Sequence, residues 1–332
     1  MISTAIFNNK GGVGKTTFLC NLASYLQTKC GKKVLVVDAD PQCNSTSYVL
    51  DDDDYYDVYF EQNNFTIADL IPPLKNGLGY AKQIKATKSD LFGFDLIAGN
   101  PELAAHEDFL SKDWSELRAK EIRGIRTNML FVHFLTLCQE YDYVFFDMGP
   151  SLGAINRAVL LACDYFITPM SSDIFSVLAL KNIGESISTW RDLYNETLSD
   201  VNPKDKALFE GLKDKCNIKF LGYVEQQYIS KSSGGKKVAV RSYEKILSTI
   251  PDEIKRYVIA PINGDIEFEN YNLGSIPNFY SLIPMSQTAH KPVFLLTNAD
   301  GVLGAHYQKV SDYNEMMGGI TQRVLQNMEA LK

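Results

Sequence analysis

Apolar residues along this chain fall into two rhythms. Short runs with little polar interruption predict strands: STAIFN (3–8), KVLVVD (33–38), FDLIAG (94–99), YDYVFFD (141–147), YFITPM (165–170), KFLGYV (219–224) and KPVFLL (291–296). Several are nearly continuous Val, Ile, Leu or Phe, the composition of parallel strands covered on both faces. Between the first two runs, Leu19, Leu22, Ala23 and Leu26 share one face of a 3.6-residue period, which predicts a helix over 16–27. This alternation predicts an α/β fold: a doubly wound, mostly parallel sheet flanked by helices. The acidic, tyrosine-rich DDDDYYDVYFEQ (51–62) and the polar stretches 197–217 and 230–241 break the rhythm and predict solvated insertions.

Composition narrows the class. A chain of 332 residues, 45% hydrophobic and 22% charged, suits one large α/β domain over 1–332 with insertions. The net charge of -7 requires that any nucleic-acid partner be met by a local basic patch. Six cysteines are scattered without a C-x-x-C pair, and Cys20, Cys138 and Cys163 sit in apolar surroundings, so reduced thiols and a cytoplasmic setting are expected. The four histidines lack metal-ligand spacing. MISTAIF lacks the basic and long apolar regions of a signal peptide, and no uncharged run approaches the ~20 residues that span a bilayer, so no membrane partner is expected.

Chemistry concentrates at NKGGVGKTT (9–17), which follows the first predicted strand and opens the first predicted helix. In that setting the backbone N–H groups of Gly12, Val13, Gly14, Lys15, Thr16 and Thr17 wrap a phosphate, and the helix N-terminus adds a positive dipole end. Lys15 is placed to reach β- and γ-phosphates and the Thr16 hydroxyl to ligate Mg²⁺, so a nucleotide phosphate chain with Mg²⁺ is the expected occupant. The pattern departs from G-x-x-x-x-G-K-[ST] at its first position, where Asn9 stands. YDYVFFD delivers Asp147 to the C-terminal edge of a strand, where it can organise the metal. VLVVDADPQCN ends another strand with Asp38 and Asp40, and Pro41 favours an extended Asp40 aimed toward the γ-phosphate, as expected of a residue that positions or deprotonates the attacking water. A second lysine, Lys10, stands beside Gly11 at the mouth of the loop.

KGGVGKTT, DADPQCNST and FFDMGPSLGAINRAVLLACDYFITPM resemble the deviant Walker A, switch I and switch II segments of the ParA/MinD family of P-loop ATPases, nearest the ParA branch. LIAGNPELAAHE, GSIPNFYSLIPMSQTAHKPVFLL and GAHYQKVSDYNEMMGGITQRV extend the resemblance over most of the chain, with extra material near 51–62, 107–130, 197–217 and 230–270. The resemblance implies an ATPase that forms an ATP-sandwiched homodimer, in which Lys10 crosses to the partner subunit's phosphates. It further implies partition or positioning of DNA or protein cargo, an activating adaptor protein and contact with non-specific DNA. Where the family often carries arginines this chain reads IPNFYSL, with Asn278 and Ser281, and Lys231, Lys236, Lys237 and Arg241 are the alternative cations. A MinD-like membrane switch needs a basic amphipathic tail that ITQRVLQNMEALK lacks. An iron–sulfur reductase needs a cysteine that DMGPSLG lacks, and a P-loop synthetase remains the alternative of another class.

Overall fold

The computed structural model describes residues 1–60, 64–171, 173–213, 215–228, 230–233, 236–239, 241–264 and 270–332. Among the described residues there are ten strands: β1 Ile2–Ile6, β2 Val34–Asp38, β3 Thr87–Lys88, β4 Asp95–Ile97, β5 Tyr143–Asp147, β6 Tyr165–Ser171, β7 Lys219–Tyr228, β8 Ser230–Ser233, β9 Lys236–Ala239 and β10 Asn272–Pro277. Eight form one sheet in the order β10-β7-β6-β1-β5-β2-β4-β3, and β8 and β9 form a separate hairpin. Every pairing in the large sheet is parallel except β3 with β4.

The near-continuous apolar runs are explained by a core on each face. In β2, Leu35 and Val37 join one cluster with Phe146 and Phe166, while Val34 and Val36 join the other with Phe145 and Ile167. Helix α1, Lys15–Cys30, covers the second face with Leu19, Leu22, Ala23 and Leu26, all fully buried. Each buried leucine there contributes roughly 1.5–3 kcal/mol over an exposed one. The registers Ile6↔Asp147 and Asp38↔Asp147 bring the C-terminal ends of β1, β5 and β2 level, so three separate sequence motifs open onto one crevice.

Two sequence expectations change. KPVFLL is not a strand: Val293–Leu295 form a single 3-10 turn, and the edge strand is β10, earlier in the chain. Val293, Phe294 and Leu296 are buried as packing residues, with the Phe294 ring edge-on to Tyr25 at 5.3 Å, and a short buried apolar run has no periodicity to distinguish turn from strand. Within the acidic run expected as a solvated insertion, Asp52–Phe60 is instead helical, with Val58 its buried residue, and positions 61–62 lie outside the described residues. Asp51 accepts the Asp54 N–H at 3.0 Å, and carboxylates in a first helical turn are favoured by the macrodipole. Of the other additions, Glu107–Arg118 and Ile122–Asn128 are helices whose Leu110, Trp114, Leu117 and Ile125 belong to the core. Ser230–Ser233 and Lys236–Ala239 pair antiparallel ahead of the helix Arg241–Ile254. The side chains of Lys231, Lys236, Lys237 and Arg241 lie outside the described part of the structure. Among the described residues no helix is long and apolar enough to cross a membrane.

Candidate functional site

The loop between β1 and α1 turns at two glycines in left-handed conformation, Gly12 (φ 71°) and Gly14 (φ 74°). Alternation of this kind points successive N–H groups into one concavity suited to an anion. Gly14 is needed for space as well: a Cβ there would lie 3.2 Å from the Gln226 side chain. Val13 between them is buried, and Gly11 faces Pro150, where a Cβ would meet its Cγ at 4.0 Å. The loop is therefore held between β7 and the segment after β5.

Lys15, Thr16, Asp40 and Asp147 converge in the crevice. The Thr16 hydroxyl donates to Asp147 Oδ2 at 2.7 Å, and the Ser45 hydroxyl donates to the same oxygen at 2.6 Å. Asp147 Oδ1 is buried and accepts no hydrogen bond. Burial pushes the Asp147 carboxyl above its ordinary range, and the bonds from Ser45 and Thr16 and the charge of Lys15 only partly offset that. The Lys15 ammonium is lowered by burial against the pull of Asp147 and Asp40, and it donates to the Lys10 carbonyl at a long 3.3 Å. Asp40 is buried beside Gly149, whose Cβ position lies 3.1 Å from Asp40 Oδ1, and that oxygen accepts the Gln42 N–H at 3.0 Å. A buried carboxylate oxygen without a donor, next to two hydroxyls, is a hard-oxygen set that fits Mg²⁺, which takes few protein ligands and completes its shell with phosphate and water.

Asp38 is a scaffold residue. It accepts the Thr46 N–H at 2.8 Å, the Thr46 hydroxyl at 2.7 Å and the Asp40 N–H at 3.3 Å, fixing the short helix Asn44–Val49 that presents Ser45. Full burial, with Asp147 close by, raises its carboxyl to about 8 despite those bonds. The folded nucleotide-free protein thus retains a proton that the unfolded chain gives up. This stabilisation is present below the ordinary carboxylate range and is lost as pH rises through about 8. Between roughly pH 5 and 8 the stability of the nucleotide-free chain is therefore expected to fall as pH rises. Urea midpoints that hold steady across that interval would contradict it.

Lys10, the remaining candidate, does not point at Lys15. Its ammonium forms an ion pair with Asp173, which directly precedes the helix Ile174–Ser199. Its backbone N–H donates at 3.0 Å to Asn8 Oδ1, and Asn8 Nδ2 donates at 2.8 Å to the Pro169 carbonyl in β6. Sequence reasoning did not single out Ser45, Asn8, Asp173 or Gln226. Ser45 lies within DADPQCNST and Asn8 ends STAIFN, whereas Asp173 and Gln226 are brought in by strand order. A cavity of about 90 Å³ beside the loop is lined by Gly14, Thr17, Gln226, Pro277, Asn278 and Phe279. A cleft of about 750 Å³ opens at the far end of the sheet near Arg191, Lys213 and Lys219. There Lys213 is bound to Asp164, Arg191 to the carbonyls of Pro261 and Ile262, and Lys219 to that of Leu331.

The AAA domain model AAA_31 matches residues 1–200, which contain the loop, Asp40, Asp147 and Asp173. This chain belongs to the ParA/MinD family of P-loop ATPases. The chromosome partitioning protein ParA of Caulobacter vibrioides is 30% identical over 199 residues, 58% of this chain and 65% of its own length. The chain thus spans slightly under two thirds of that ParA/MinD relative. The crystal structure of protein DIP2308 from Corynebacterium diphtheriae is 31% identical, with a TM-score of 0.68 over 87% of this chain and 97% of that one. A McdA–ATP complex from Cyanothece shares the fold, with 17% identity and a TM-score of 0.62 over 97% of this chain and 96% of that one.

Proposed function

We propose that this protein is a ParA-like ATPase that binds Mg-ATP, closes into a nucleotide-sandwich homodimer and hydrolyses ATP to drive partition or positioning of a DNA or protein cargo. The observation that carries the reading is the pairing of Thr16 with Asp147, whose second oxygen is buried and unpartnered at the mouth of the loop. The ATP complex of the McdA neighbour and the partition role in the name of the Caulobacter relative support it.

Within the chain, the loop N–H groups and Lys15 hold the β- and γ-phosphates, and Thr16 and Asp147, with Ser45 behind them, hold the metal. A bound Mg²⁺ would neutralise charge on the phosphate oxygens. Gln226, Pro277 and Asn278 line the cavity beside Gly14 and Thr17, and that recess, with its amide and its turn, is the candidate place for the base. Asp40 orients the attacking water or takes its proton, and Lys10, delivered from the partner copy, neutralises charge that develops in phosphoryl transfer. Phe175 (68% exposed) and Leu178 (56% exposed), in the first turns of the helix Ile174–Ser199, supply apolar surface for the second copy to cover. An adaptor that stimulates hydrolysis and non-specific DNA that holds the dimer complete the cycle. Salt sensitivity is the mark of the DNA contact.

Asp40→Ala tests the reading. The substitution leaves the loop, Lys15 and the metal set intact, so Mg-ATP binding should persist, hydrolysis should fall by about 100-fold or more, and dimer should accumulate. Light scattering that finds this variant monomeric at saturating ATP would remove the sandwich, and an unaltered turnover rate would remove the role of Asp40.

A further inference from the structure

Two carboxylate oxygens on Asp173 do different jobs. Oδ1 accepts the Ser176 N–H at 3.0 Å and caps the helix Ile174–Ser199, and Oδ2 pairs with the Lys10 ammonium and accepts the Ser176 hydroxyl at a long 3.4 Å. Partial burial works against the charged carboxyl, but the Lys10 and Ser176 bonds prevail and hold it below the ordinary range. Lys10 is set up for this contact, because Asn8 ties its backbone to the end of β6, the strand that leads directly to Asp173. In the isolated subunit, then, the lysine with a proposed role in the partner's site is occupied at home.

We infer that Asp173 is a positioning residue that retains Lys10 in its own subunit and yields it to the partner's nucleotide, so that the Lys10–Asp173 pair acts as a latch on dimer assembly. This rests on the trans role of Lys10 proposed above. Magnitudes fit a latch better than a lock. Both side chains are 31% exposed, and an ion pair of that exposure biases an equilibrium by about three-fold. Two such pairs open per dimer, so together they raise its dissociation constant by roughly ten-fold. Triphosphate charge in a water-poor interface attracts a cation far more strongly, with single charge-stabilising donors worth roughly 100-fold or more in such sites. The latch therefore sets a threshold that phosphate charge overcomes. Loss of the γ-phosphate weakens the competitor, and the pair can re-form as the dimer separates.

Asp173→Asn isolates the charge. Asparagine caps helices as well as aspartate does, so the Ser176 bond survives, while the position of Oδ2 is left with a neutral amide. Two readouts distinguish the latch from the reading beneath it. In nucleotide-free protein, the rate of Lys10 acetylation by acetic anhydride, followed by mass spectrometry, should rise several-fold in Asp173→Asn and stay near wild type in Asp173→Glu. In Mg-ATP, analytical ultracentrifugation should show Asp173→Asn dimerising at roughly ten-fold lower protein concentration than wild type, with Asp173→Glu again close to wild type. The gain should vanish when Lys10→Ala is also present. Unchanged Lys10 labelling overturns the latch. So does faster labelling with wild-type dimerisation, or a dimerisation gain that persists without Lys10. Wild-type protein that stays monomeric in Mg-ATP overturns the dimer reading and the latch with it, and that result is separable because the labelling contrast is read without nucleotide.

Discussion

Replacing Lys15 with alanine is expected to lower Mg-ATP affinity by at least about 100-fold. Two charge-assisted hydrogen bonds to phosphate oxygens contribute roughly 1.5–3 kcal/mol each, and each 1.4 kcal/mol is a factor of ten. Local electrostatics adds to that loss. Lys15 is the cation that Asp147 and Asp40 both face in the crevice, so its removal leaves two buried carboxyl groups confronting a polyanion. The fold itself should tolerate the change, because burial already raises the Asp147 carboxyl and loss of the opposing Lys15 charge raises it further, so it takes up a proton more readily when the ammonium is gone. Titration calorimetry alongside a thermal melt separates the two effects. A variant that melts like wild type and binds Mg-ATP with undiminished affinity would show that the loop is not the phosphate site.

Why Lys15, Thr16 and Asp147 were legible from sequence and Asp173 was not is a matter of distance along the chain. The loop is a local motif: glycines, lysine and threonine fall within nine residues, and the preceding apolar run and following helical period state which elements flank them. Asp147 could be read because an apolar strand ending in aspartate has a known destination at a sheet edge. Asp173 is 163 residues from Lys10, and only the adjacency of β6 to β1 brings them together. Gln226 likewise depends on β7 lying next to β6. Ser45 was within reach, since it stands five residues past Asp40, but its aim toward Asp147 is set by Asp38 gripping Thr46. The central strands were readable because burial on both faces produces unbroken apolar runs. The edge strand β10, NLGSIP, contains Gly274 at φ 143° and closes with a proline, so its pattern is weaker than that of the buried turn at 293–295 which imitates a strand.

The second large effect concerns Lys10 and Lys15 together. A tethered dimer that joins a Lys10→Ala subunit to a Lys15→Ala subunit is expected to recover up to about half of the tethered wild-type ATPase rate. If Lys10 served its own nucleotide, each half would lack something its site requires, and the tether could restore nothing. If Lys10 acts across the interface, the two halves differ. The Lys10→Ala subunit keeps an intact loop and holds ATP, and the Lys15→Ala subunit still carries a Lys10 that reaches over, so one site is complete. Without a tether the mixed dimer would lose one of its two nucleotides and dissociate too readily to be seen, so a covalent link is required to keep the effective concentration high. Asp173 shapes the same experiment. In the Lys15→Ala half, Lys10 remains paired with its own Asp173 until the partner's triphosphate draws it away, so adding Asp173→Asn to that half should raise the recovered rate when the release of Lys10 is limiting. A tethered pair that binds one ATP per molecule yet turns over no faster than either variant alone would refute the crossing of Lys10.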